Sequence, residues 1–172
     1  MKKLFKVALV LVTALTLFVG CGGSSKVIEP KDGLAEGNIG DTFRSYWFDF
    51  SVDSIKGVDE YDGYTAAEGN RIVEVAITIK STVSYEIPIY SNDFYIVWPE
   101  GWVDPIDAEV HGVYDEVDSL GAKEKKTYLW YFEIPEDNEQ FLVAFDEVFA
   151  TDVEADKYGD EFSIYFTSAE IK

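Results

Sequence analysis

The stretch Ile72-Val73-Glu74-Val75-Ala76-Ile77-Thr78-Ile79-Lys80-Ser81 decides the fold class. Val73, Val75, Ile77 and Ile79 fall on one side of an extended chain, and Glu74, Ala76, Thr78 and Lys80 fall on the other. That period of two marks a half-buried strand. The same alternation recurs on both sides of it. From Phe43 to Val52, Tyr46, Phe48, Phe50 and Val52 share a face against Ser45, Asp49 and Ser51. From Lys125 to Ile134, Tyr128, Trp130, Phe132 and Ile134 share a face, and Pro135 stops the run. Asp93 to Trp98 reads as a further strand closed by Trp98-Pro99-Glu100-Gly101, with Trp102 beginning the return. Proline presets the first turn dihedral and glycine releases the chain. Ser119-Leu120-Gly121 reads as the turn into Lys125, while Gln140 to Phe149 and Glu161 to Thr167 supply two more strands, the last alternating through Phe162, Ile164 and Phe166. No window has the period of an amphipathic helix. Short strands punctuated by Gly, Pro and Asp predict an all-β sandwich.

The N-terminus has a different grammar. Met1, Lys2, Lys3 and Lys6 give a positive start, and Val7 to Val19 is apolar except for Thr13 and Thr16. This is an export signal, too short for the roughly 20 apolar residues of a spanning helix. Leu17-Phe18-Val19-Gly20-Cys21 resembles a bacterial lipobox, in which a small residue precedes the cysteine that is lipidated. Cys21 is the only cysteine of the chain, so it has no internal disulfide partner. The expected organisation is a cleaved signal over residues 1–20, a lipidated Cys21 with a flexible linker over 21–38, and a sandwich over 39–172. Gly22, Gly23, Ser24, Ser25, Pro30, Gly33 and Gly37 break any apolar period in the linker. The expected location is the extracytoplasmic face of the cell membrane, held by lipid.

Charge narrows the partners. The 172-residue chain carries 33 acidic and 14 basic side chains, a formal net charge of -19. Residues 1–20 contain three of the lysines and no acid, so the chain from Cys21 onward stands at -22. Nucleic-acid binding rests on Lys and Arg neutralising phosphates, and this balance argues against it. Aromatic residues make up 16% of the chain, which argues equally against an acidic disordered segment.

Gly40 before the aromatic first strand, the strand Val73-Glu74-Val75-Ala76-Ile77-Thr78-Ile79, Asp93-Phe94, Leu120-Gly121 and Phe132-Glu133-Ile134-Pro135 occur in this order after a lipobox and a Gly-rich spacer. Together they resemble a family of Gram-positive surface lipoproteins of unknown function, whose folded part is similar to the immunoglobulin-like domain of the immunoprotective extracellular antigen superfamily. The resemblance spans roughly Gly40 to Phe149. It implies an immunoglobulin-like antiparallel β-sandwich of about seven to eight strands and brings no catalytic residues with it.

The candidate sites are three. His111 is the only histidine and has no nucleophile motif beside it, so no catalytic set is assigned. Acids crowd residues 100–118 and 146–161, the second stretch beginning with Asp146 and Glu147; such runs are ordinarily solvated faces. Within it Asp152, Glu154 and Asp156 alternate as the first ligands of a calcium loop do, but Lys157 occupies the position where that loop needs glycine. Ca2+ there is the one cofactor expectation. Finally, Trp47, Tyr95 and Tyr131 oppose the faces assigned to the core and would form an exposed aromatic patch able to bind a ligand. The expected function is a non-enzymatic, membrane-anchored module that binds a protein or a cell-envelope component. Carbohydrate binding through the aromatic face is the alternative, and a carboxylate-dependent hydrolase a more distant one.

Overall fold

The alternating segments pair into two stacked sheets. The structure is a computed structural model and describes residues 26–97, 112–114, 116–148 and 162–171. Eleven strands lie in these residues: β1 (Val27–Ile28), β2 (Leu34–Asn38), β3 (Thr42–Arg44), β4 (Phe48–Val58), β5 (Asn70–Ser81), β6 (Ile87–Tyr90), β7 (Phe94–Val97), β8 (Val117–Leu120), β9 (Lys125–Pro135), β10 (Gln140–Val148) and β11 (Phe162–Glu170). One sheet has the order β1-β3-β4-β5-β9 and the other β2-β11-β10-β7; β6 and β8 form a separate two-stranded ladder. A 3-10 turn over Ser91–Asp93 is the only helical element among the described residues. The protein is an all-β sandwich.

The core forms where the two inner faces meet. Val73, Val75, Ile77 and Ile79 of β5 are fully buried, as are Phe132 and Ile134 of β9, with Tyr128 and Trp130 nearly so. From the opposite sheet come Phe94, Ile96, Phe141, Val143, Phe145 and Tyr165. Phe50 sits at the centre, with ring centroids 5.2 Å from Phe43, 5.2 Å from Phe145, 5.4 Å from Phe94 and 5.5 Å from Tyr165. Most of these pairs are edge-to-face, the arrangement that ring quadrupoles favour.

Four expectations change. The stretch read as a flexible linker belongs to the sandwich from Val27 onward: β1 pairs in parallel with β3, and β2 in parallel with β11. Its glycine is what makes this possible. Asp32 and Gly33 both have positive φ, 54° and 77°, as a type I′ turn requires, and Lys31 and Leu34 bridge across them. Among the described residues the strands therefore number eleven where seven to eight are expected, and two of their pairings are parallel.

The run Phe43 to Val52 is two strands, β3 and β4, folded back through Ser45-Tyr46-Trp47. Ser45 holds the turn by donating its N–H to the Phe48 carbonyl at 2.9 Å. Ser119-Leu120 ends strand β8 with Leu120 fully buried, and the turn follows at Gly121 to Glu124. Lastly, β11 faces the other way. Ser163, Tyr165 and Thr167 point into the core, and Ile164 and Phe166 are half-buried on the outside. Of this polar inward set the Tyr165 hydroxyl has an acceptor, as described next, whereas the Ser163 hydroxyl is buried with no hydrogen-bond partner among the described residues.

Candidate functional site

A cleft of about 460 Å³ opens at one end of the sandwich, where the β3–β4 turn, β6 and the end of β10 converge. That volume falls in the range of small-ligand sites, about 300–1,000 Å³. Trp47 and Phe48 line one wall; Tyr85, Glu86, Ile87, Pro88 and Tyr90 line the second; Asp93, Phe145, Asp146 and Glu147 complete it. Alternation on β6 turns Ile87 and Ile89 inward and leaves Pro88 and Tyr90 outside, and Tyr85 and Tyr90 are among the most exposed large side chains of the molecule.

Glu147 organises this end. Its side chain is 1% exposed, which corrects the reading of Glu147 as part of a solvated acidic run, while Asp146 beside it is exposed as that reading expects. One carboxyl oxygen accepts the Tyr46 N–H at 2.8 Å, and the other accepts the Tyr165 hydroxyl at 2.7 Å. Tyr46 belongs to the first sheet's turn and Tyr165 to the second sheet, so one side chain ties the two together. Buried polar groups persist where such partners exist. The tie also fixes the turn that carries Trp47. Trp47 packs edge-on against Tyr46 at 5.2 Å, and its carbonyl accepts the Thr82 N–H at 2.9 Å.

Asp146 keeps one side open to solvent, but it stands among its neighbours deeply enough that desolvation, the larger influence, raises its carboxyl above the usual value. The hydrogen bond from the Tyr95 hydroxyl, at 2.8 Å, opposes that shift.

The expected aromatic patch does not form as one surface. Tyr95 is 6% exposed on the outer side of the second sheet, its hydroxyl committed to Asp146. Tyr131 lies on the outer side of the first sheet, beyond the core from Tyr95, with its ring face covered by Tyr61 at 3.6 Å and 14° between planes. Strands buried on both sides have no free face, and alternation alone does not reveal the cover. Trp47 is the one member of the three that reaches the cleft.

Tyr131 instead anchors the loop before β5. Asp62 and Gly63 form a second turn with both residues at positive φ, bridged by Tyr61 and Tyr64. This lays Tyr61 on Tyr131, and the Tyr64 hydroxyl donates to Glu133. Glu133 also accepts Asn70 Nδ2 at 2.7 Å and the Ala67 N–H at 3.0 Å. Burial first, and then the 2.8 Å hydrogen bond to Glu74, push the Tyr131 phenol up to about 12 from 10.0. The folded state then holds a proton that the unfolded chain releases. The associated stability is whole below about pH 10 and is lost as pH rises toward 12. Tyr131→Phe is expected to flatten the fall of stability across that window in denaturant titrations; an unchanged slope would remove Tyr131 from this role.

Cys21, His111, Asp152, Glu154 and Asp156 lie outside the described residues. Among the described residues no three His, Cys, Asp or Glu side chains stand close enough to hold a metal ion. No helix among them is long and apolar enough to cross a membrane.

No family model and no curated protein matches the sequence. Solved structures do. The fold is similar to the yjhA protein of Bacillus subtilis, with a TM-score of 0.53 and 13% identity over 78% of this chain and 99% of that one. It is similar also to a candidate lipoprotein of Bacillus subtilis, ycdA, with a TM-score of 0.52 and 10% identity over 73% of this chain. This chain spans 37% of the length of ycdA. An uncharacterized β-sandwich protein of Clostridium difficile aligns at a TM-score of 0.48, with 15% identity over 77% of this chain and 92% of that one. At these identities the likeness concerns the fold, and fold alone does not fix function.

Proposed function

We propose that the chain is a lipid-anchored extracytoplasmic module that acts by binding rather than by chemistry, and that it takes its ligand in the cleft beside Trp47. The cleft is the observation that carries this reading: it is concave, has aromatic walls, and is held open by structure that spans both sheets. Anchoring through Cys21 is supported by the export signal and lipobox, and by the lipoprotein description of ycdA. Two acyl chains would hold the protein stably, each buried methylene contributing about 0.8 kcal/mol. The carbohydrate alternative loses its single aromatic face and moves to the same cleft.

Cross-linking on intact cells tests both halves. A photo-reactive group at Tyr85 is expected to capture a discrete species, with capture falling about tenfold or more in Trp47→Ala, since interface aromatics commonly carry 1.4 kcal/mol or more. Cys21→Ala is expected to move the protein from the membrane to the medium. Capture indifferent to Trp47 would sink the binding reading, and membrane retention of Cys21→Ala would sink the anchor.

A further inference from the structure

We infer that the edge formed by β1 and β2 is the surface of the sandwich that rests on the bilayer, so that the strands run along the membrane and the cleft opens sideways over it; this rests on the reading of Cys21 as the lipidated residue. β1 is the edge strand of the first sheet and β2 of the second. The two edges adjoin. A Cβ at Gly37 of β2 would lie 2.8 Å from the Ile28 side chain of β1 and 2.7 Å from the Phe43 ring of β3, closer than packed atoms come. Glycine there lets β2 pass directly over the first sheet's edge.

Chain length sets the geometry. Six residues carry the chain from Cys21 to Val27, at most about 22 Å when drawn straight. Val27 pairs with Thr42, and Phe43 with Phe50, so β1 meets the sheet at the level of Ser51. From that level β4 runs on to Val58, about 23 Å at 3.3 Å per residue. A sandwich standing on that far end would hold Val27 at the limit of a fully stretched tether. The opposite, cleft-bearing end fits no better: β1 runs parallel to β3 toward the cleft, so the tether would have to reverse at Lys26, and Glu86, Asp93 and Asp146 would be pressed toward the headgroups. Resting on the β1–β2 edge requires neither.

The chemistry of the edge agrees. Val27, Leu34 and Ile39 belong to it and are 39%, 41% and 38% exposed. Ile28 and Ala35 turn toward the core, so Val27 and Leu34 point outward from the two sheets and flank the edge on either side. Residues 26–44 hold three bases, Lys26, Lys31 and Arg44, against four acids, a net charge of -1, whereas the other residues from Cys21 onward carry -21. A headgroup layer bearing phosphates repels the rest of this surface and accepts the edge, where lysine stems can lie along apolar side chains with their ammonium groups among the headgroups.

The test uses the full lipidated chain, whose only thiol is acylated, in vesicles of phosphatidylglycerol and phosphatidylcholine. A fluorophore is attached to one new cysteine at a time: Leu34→Cys or Ile39→Cys on the edge, Leu129→Cys on β9 at the opposite edge of the first sheet, Tyr85→Cys in the cleft, and Asp59→Cys just beyond β4. All five positions are exposed, so the core is left intact. Quenching by lipids carrying a nitroxide on the headgroup is expected to be about twofold or more stronger at positions 34 and 39 than at the other three, since β9 alone stands four strand spacings, about 19 Å, across the sheet from β1.

Strongest quenching at position 59, 85 or 129 would show that another surface faces the lipid, and equal quenching at all five would show that no surface does. Either result overturns the inference and leaves the anchor in place. Mass spectrometry of Cys21 tests the premise separately: an unacylated cysteine would remove the anchor and the inference with it.

Discussion

Phe50→Ala is expected to lower stability by about 3–5 kcal/mol, the range for removing a large aromatic side chain from a packed core. Phe50 is 3% exposed and touches rings from both sheets: Phe43 and Phe48 on its own side, Phe94, Phe145 and Tyr165 opposite. No single neighbour can move into the space without leaving its own contacts, so the cavity should persist and the cost should lie high in the range. Domains of this size hold only about 5–15 kcal/mol in total. Thermal melting followed by circular dichroism should show a fall of roughly 10 °C or more. Phe50→Leu, which keeps most of the volume, should fall by less than half as much. A loss under about 1 kcal/mol for the alanine variant would mean that the five rings are not one packed unit.

The central strands were legible because they face the solvent or their neighbours in a regular rhythm. Val73 to Ile79 and Tyr128 to Ile134 put the expected side chains inside, since β5 lies between β4 and β9 with its register fixed by both. The edges were less legible. Asp32-Gly33 and Asp62-Gly63 are strong hairpin signals, and each could have been read as a two-residue turn. The first was obscured by the glycines and serines around it, and the second by the polar residues that follow.

The face of β11 was misread for a physical reason. Phe162, Ile164 and Phe166 outrank Ser163, Tyr165 and Thr167 in hydrophobicity, so alternation favours the wrong side. Burial of Tyr165 depends on Glu147, which accepts its hydroxyl from the neighbouring strand, and no local window contains both. The cleft was illegible for the same reason. Its walls come from residues 47–48, 85–93 and 145–147, and only the sandwich topology brings them together.

Glu147 carries the second large effect. Replacing it with alanine removes the acceptor for the Tyr46 N–H and the nearer acceptor for the Tyr165 hydroxyl, which keeps only the Arg44 carbonyl at 3.3 Å, while both donors stay buried or half-buried. A buried donor left without a partner costs about 1–3 kcal/mol, so a loss of about 2–4 kcal/mol is expected. Glu147→Gln retains an acceptor for one donor and turns an amide N–H2 toward the other, and should fall between the parent and the alanine variant. The decisive comparison is a double-mutant cycle with Tyr165→Phe. With Glu147→Met as the single change at that site, the Tyr165 hydroxyl keeps only the Arg44 carbonyl at 3.3 Å, Tyr165→Phe takes the hydroxyl donor from one Glu147 oxygen, and the double variant Glu147→Met, Tyr165→Phe removes both halves of the contact at once. The double variant should therefore lose less than the sum of the two single changes, by about 1–2 kcal/mol. Strict additivity in denaturant unfolding would show that the two side chains stabilise the sandwich independently. Coupling of the expected sign would show that Tyr165 fixes the Glu147 carboxylate within the second sheet, and so fixes the other oxygen that accepts the N–H of Tyr46, the residue directly before Trp47 in the first sheet's turn.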